Sequence, residues 1–250
     1  MILVLTYHKV LRDPGPKPEF YTISGEQLEQ QLERLARSGI RPLSPEDFPA
    51  YQPRREPSYA LSFDDGTKDH HEVVLPLLMR FQVKAVFFVP TARLNRAGYL
   101  TSEQAREMSQ AGHTLGLHGH EHRRLDRLQE EDIRVQMEVS RGALTELAGS
   151  PPIFFAPVGG YIDRRVGRIA LEAGARVIRT MRWGYNRRLN LSAVECVPVN
   201  RFFTDAEFER VLRFRNQSLV YAFKQVTKKV LPGRVYGRLR EGLFKMRKRG

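Results

Sequence analysis

The chain has 250 residues, enough for one large domain or two small ones, and 41% of them are hydrophobic, enough for a full core. A single cysteine, Cys196, excludes an intrachain disulfide and any cysteine-rich zinc module. The formal net charge of +13 is unevenly placed: from Val211 to Gly250 twelve Lys and Arg face one acid, Glu241, so the preceding residues are close to balanced. No uninterrupted apolar run approaches the length of a membrane span. The opening Met1–His8 lacks the basic and long apolar regions of a secretory signal, so the expected location is the cytoplasm.

In chain order, Met1–Tyr7 reads as a buried strand ending at His8, and residues 11–20, with Pro14, Gly15, Pro16 and Pro18, as a loop. Ser24, with Gln27 three residues on, predicts a helix start. Leu28, Leu32 and Leu35 follow at helical spacing, and Gly39 stops the helix. Residues 42–57 read as loop with a short helix near Pro45–Phe48. Tyr59–Phe63 is a second strand, closed by Asp64-Asp65-Gly66. Glu72–Phe81 reads as a helix despite Pro76, in its first turn or at a kink.

Lys84–Val89 is a strand. Thr101 caps a helix to Ala111, and His113–Leu117 is a short strand leading into His118-Gly119-His120-Glu121-His122. Glu130–Leu147 is a long amphipathic helix with Ile133, Met137, Ser140, Leu144 and Leu147 on one face. A strand at Ile153–Phe155 runs into the loop Ala156-Pro157-Val158-Gly159-Gly160. Then come a helix over Asp163–Ala173, strands at Arg176–Thr180 and Val194–Val199, and a helix from Asp205 to about Phe214. From Ser218 the pattern is one or two basic amphipathic helices broken at Pro232-Gly233. About seven strands alternating with helices predict an α/β fold with parallel pairing. A distorted (β/α) barrel over residues 1–215 suits the count, with 216–250 as a basic helical tail; the alternative is an open doubly wound sheet.

In such folds functional groups gather where strands end. His8, Asp64 with Asp65, His118 with His122, and the loop Pro157–Gly160 all fall there. The Asp pair reads either as an Asp-Gly turn or as a site where a cation relieves the repulsion of two carboxylates. His118 and His122 share a face if the segment is turn-like; otherwise they belong to a solvated loop running into Arg123 and Arg124. One Asp and two His form a three-ligand N/O set that suits zinc, cobalt, nickel or iron and leaves positions open for water. Asp69, His70 and His71 read as an exposed helix start, His113 as structural, and Cys196 as core. Tyr161, Trp183 and Tyr185 read as sugar-stacking or core rings.

At these residues the chain resembles the polysaccharide deacetylase family, the NodB-homology or family 4 carbohydrate esterases. Ser62-Phe63-Asp64-Asp65-Gly66 is similar to the family's T-F-D-D-G motif, and His118 to His122 is similar to its H-x-x-x-H motif. The resemblance implies a metal-dependent hydrolase, acting on C–N bonds other than peptide bonds. It would remove N-acetyl groups from an N-acetylated sugar by metal-activated water. Asp65, His118 and His122 would bind a divalent metal, with zinc the first expectation, and Asp64 would be the general base. The loop Phe155-Ala156-Pro157-Val158-Gly159 resembles the family's R-x-P-x-G motif, with Pro157, Val158 and Gly159 serving the oxyanion and substrate. Phe155 stands where that motif has Arg, so the base lacks its expected partner.

No histidine follows His122 to serve as the family's late general acid. Leu5-Thr6-Tyr7-His8-Lys9-Val10 instead resembles the start of a circularly permuted subgroup that includes poly-N-acetylglucosamine deacetylases, which would make His8 the acid. An O-acetyl sugar esterase and a degenerate saccharide binder are the alternatives. A cytoplasmic enzyme of this kind would act on a saccharide or lipid-linked glycan precursor. The basic tail would then favour an anionic surface at the inner membrane face. Nucleic acid is disfavoured, because no recognition module accompanies the charge.

Overall fold

The computed structural model describes residues 1–52 and 56–215; the basic tail expected over 216–250 lies outside the described residues. The first element, β1 (Ile2–Tyr7), is buried along its whole length, as a continuous apolar run in a parallel sheet must be. Two short strands, β2 (Lys9–Leu11) and β3 (Thr22–Ser24), pair with each other outside the main sheet. Helix α1 (Gly25–Arg37) starts where expected: the Ser24 hydroxyl accepts from the Gln27 N–H at 3.0 Å. The two-residue β4 (Arg41–Pro42) leads by a single turn at Phe48–Ala50 to β5 (Ser58–Asp64).

The helix expected over Glu72–Phe81 is two pieces. A π-helical segment, His70–Val74, runs into α2 (Leu75–Arg80), whose first turn holds Pro76. There follow β6 (Ala85–Val89), α3 (Ser102–Gln110), β7 (Thr114–Leu117), α4 (Glu130–Ala148), β8 (Phe154–Phe155) and α5 (Arg164–Glu172). The described chain closes with β9 (Val177–Trp183), β10 (Val194–Pro198) and α6 (Asp205–Leu212), capped by Thr204.

Seven parallel strands close on themselves in the order β1-β5-β6-β7-β8-β9-β10, and β4 pairs with the first residues of β5, ahead of the stretch that β6 pairs with. The barrel is therefore the one expected, and the open sheet is not. The seam between β1 and β10 is short, paired only at Leu5 with Val197 and Thr6 with Pro198. Below that, Asn186 fills the split. Its backbone exchanges hydrogen bonds with Ile2 at 2.9 and 3.1 Å, and its side-chain amide pairs with both the N–H and the C=O of Glu195.

Alternation along the strands builds two cores. Val4, Val86, Phe88, Phe154, Val177 and Cys196 fill the barrel, and Phe48 closes its lower end edge-on against Phe154. Leu3, Leu5, Phe63, Phe87 and Phe155 face outward into the helical layer with Leu28, Leu32, Ile133 and Met137. The interior parity then passes at the upper rim through the positions of His8, Asp64, His118 and Arg179. Among the described residues no helix is long and apolar enough to cross a membrane.

Candidate metal and catalytic site

Strand β5 ends at Asp64, and the next two residues turn sharply: Asp65 has φ +80° and Gly66 +59°. The left-handed turn at Asp65 brings adjacent carboxylates to one mouth, which a continuing strand would point to opposite faces. A side chain at Gly66 would meet Val89 Cγ1 at 3.1 Å, so glycine also serves close approach to β6. Directly after β7, His118 emerges at the same rim. Positive φ at Gly119 (+71°) and His122 (+59°) folds the segment back, so both imidazoles face Asp65. A strained backbone at two of the three converging residues fits a site fixed by its surroundings.

His122 Nε2 lies 2.8 Å and His118 Nε2 3.3 Å from Asp65 Oδ1, and the three candidate ligand atoms lie within 4.8 Å of one another. His118 Nδ1 sits 2.6 Å from the Ala156 carbonyl, which can only accept, so Nδ1 carries the hydrogen. In the neutral ring the Nε2 lone pair then faces a carboxylate oxygen. Two acceptors meeting in this way fit a cation between them, and the donor set suits a divalent metal with open positions. Burial opposes ionisation of Asp65, but the facing His118 and His122 imidazoles, with His8 beside them, outweigh it and hold the carboxyl far below the usual range. His120 stands outside this set and pairs with the Thr91 hydroxyl at 2.8 Å.

Asp64 is buried beside the triad, and His8 Nε2 lies 3.7 Å from its Oδ2. Burial lowers the His8 pKa, against the raising effect of the Asp64 and Asp65 carboxylates. The ring stacks on Tyr21 with centroids 4.4 Å apart and an interplanar angle of 10°. The expected gap opposite Asp64 is filled. Arg179, on the interior face of β9, is buried and hydrogen-bonds Asp64 Oδ1. Phe155 faces the outer layer, away from Asp64. The available signal was an arginine two residues after Val177, on the barrel-facing parity of an apolar strand.

The loop after β8 is tied to the triad through Ala156, whose N–H donates to the Leu117 carbonyl at 3.0 Å and whose carbonyl holds His118. Pro157, Val158 and Gly159 follow directly in a tight turn closed by the Gly160 N–H on the Pro157 carbonyl at 2.8 Å. The structure thus brings His8, Asp64, Asp65, His118 and His122 to one rim, with this loop joined to it.

One expectation is corrected. Asp69 and His70 are buried rather than an exposed helix start. Asp69 accepts from the Val10 N–H at 2.7 Å, and His70 Nε2 lies 2.8 Å from the His8 carbonyl. Their burial follows from the short β2, which covers them and is not visible as a strand in the sequence.

A polysaccharide deacetylase family model matches residues 51–178. A peptidoglycan-N-acetylglucosamine deacetylase of Bacillus cereus is 31% identical over 137 residues, 54% of this chain and 60% of that protein. The chain spans between 57% and 60% of the length of three of the curated relatives it matches. Among solved structures, IcaB from Ammonifex degensii superposes with a TM-score of 0.74 at 25% identity, over 85% of this chain and 96% of that one. The deacetylase PplD of Streptococcus pyogenes, solved with acetate, shares the fold with a TM-score of 0.75 at 22% identity, over 86% and 98% of the two chains.

Proposed function

Because the chain belongs to the polysaccharide deacetylase family, we propose that it is a metal-dependent hydrolase that removes N-acetyl groups from an N-acetylated saccharide. One observation carries this reading: the Asp65–His118–His122 convergence lies on the same rim as the buried Asp64–Arg179 pair and His8. A divalent cation there, zinc first among the candidates, supplies Lewis acidity toward water and the acetyl carbonyl. Asp64 accepts the proton of the attacking water, and the Arg179 guanidinium hydrogen-bonded to it holds that side chain in place. A backbone N–H of the loop Pro157–Val158–Gly159, which is tied to His118 through Ala156, receives charge developing on the acetyl oxygen. His8 gives a proton to the leaving amine. Its lowered pKa makes a proton acquired there easy to pass on.

With Arg179 in place, the gap that favoured a degenerate binder is closed. An O-acetyl ester would use the same groups and remains the second substrate class to assay. The test is metal content and acetate release from N-acetylglucosamine oligomers. We expect about one metal per chain, lost in His118→Ala/His122→Ala, and acetate release lost in that variant and in Asp64→Asn. A protein that takes up no metal on reconstitution would overturn the reading.

The basic tail supports a place at an anionic membrane surface, with a lipid-linked glycan as substrate. Flotation with anionic vesicles, with and without residues 216–250, tests this. Equal recovery of both forms in the soluble fraction rules it out.

A further inference from the structure

His8 is held in an unusual way for a group that must deliver a proton. Among the described residues its buried Nδ1 has no hydrogen-bond partner, and the ring is held by its stacking on Tyr21 rather than by a ring hydrogen bond. Hydrogen bonds instead fix the backbone just after it. The His8 carbonyl receives the His70 ring at 2.8 Å, and the Val10 N–H donates to the Asp69 carboxylate at 2.7 Å. Two consecutive peptide units are therefore gripped by two consecutive side chains. A carbonyl only accepts, so His70 Nε2 carries the hydrogen. The rest of the His70 ring packs at 5.7 Å from Phe63 and 5.5 Å from Phe87, which locks its orientation.

The segment that supplies the grip also supplies the site. Asp64, Asp65, Asp69 and His70 lie within seven residues, and a π-helical stretch begins at His70. Such turns are rarer than α-helical ones and recur at functional sites. We propose that Asp69 and His70 are positioning residues. Together they clamp the His8–Val10 backbone and register the His8 imidazole against Asp64, so that one segment sets base, metal ligand and acid together. This rests on the deacetylase reading above.

The test uses the full chain reconstituted with metal and two substrates of different leaving group. An N-acetylated amine must be protonated to leave; the phenolate of 4-nitrophenyl acetate leaves without a proton. His70→Phe removes the donor at similar size. We expect it to lower kcat on N-acetylglucosamine oligomers by at least about tenfold, part of the contribution of a general acid. KM, metal content and aryl acetate hydrolysis should stay within about twofold of wild type. His70→Gln, which keeps an N–H donor, should recover most of the loss. Equal losses on both substrates, or none on the amide, overturn the clamp alone.

If His70→Phe does not fold, Asp69→Asn weakens the grip while keeping an acceptor. Across acetate esters from aryl to alkyl, the rate should then fall more steeply with leaving-group pKa than in wild type, and an unchanged slope overturns the proposal. Wild-type protein that releases acetate from neither substrate overturns the deacetylase reading, and the clamp with it.

Discussion

Arg179 lies outside the Asp65–His118–His122 cluster, yet its loss should be costly. It and Asp64 are both almost fully buried, and each compensates a charge the other could not carry alone in the barrel. Arg179→Met should destabilise the fold by about 3–5 kcal/mol in urea unfolding, because a carboxylate is left buried without its partner. Acetate release should fall by about a hundredfold or more as the base loses its aim. Arg179→Lys keeps the charge but loses the planar fork, so it should recover stability before activity. Acetate release from Arg179→Met at the wild-type rate would show that Asp64 needs no such partner. The motif pattern pointed to position 155 for this arginine. Parity explains why that position is empty of charge: Phe155 faces the helical layer, and the interior place opposite Asp64 belongs to β9.

At the level of elements, α4 does more than cover the barrel. Its buried Gln136 turns inward and accepts the His120 and Glu121 N–H groups at 3.1 and 2.8 Å, while its amide donates to Glu121 at 3.0 Å. One side chain thus holds the turn that carries His118 and His122. Gln136→Leu leaves two N–H groups without this acceptor. It should weaken metal affinity by about 10- to 100-fold, the usual cost of losing a partner that orients ligands. Competition with a chromogenic chelator measures this, and unchanged affinity would show that the turn holds itself. The long elements were legible in sequence because their patterns are strong: β1 and β6 as apolar runs, α1 as a periodic face with its Ser24 cap and α4 as a long periodic face. The three-residue β2 and β3, the two-residue β4 and the π-helical start at His70 were not. They are too short to show a period, and they exist because the surrounding structure holds them. The role of Asp69 and His70 depends on β2, so it was hidden with it.

For the molecule as a whole, the closed barrel ties its stability to groups far from the site, and His113 shows how. It stands at the entry to β7, at the opposite end of that strand from His118. The side chain is buried, its Nδ1 accepts the Ala85 N–H at 3.2 Å, and its ring meets Phe87 edge-on. Burial, with a smaller push from Lys84, lowers its pKa from the ordinary 6.5 to about 4. Between those values the unfolded chain binds the proton and the folded chain does not, so stability is complete above pH 6.5 and lost as pH falls toward 4. A shift of this size corresponds to about 3 kcal/mol. His113→Asn keeps an acceptor for Ala85 and cannot titrate. It should be less stable than wild type at pH 7.5 because the ring's packing is gone. Its urea midpoint should nevertheless fall less between pH 7.5 and 4, closing the gap by about that amount. Parallel loss in both proteins would place the acid limb elsewhere, among the ion pairs of the helical layer. The expected sign is therefore a histidine that serves the barrel by staying neutral, while the histidines at the other end converge on the Asp65 carboxylate.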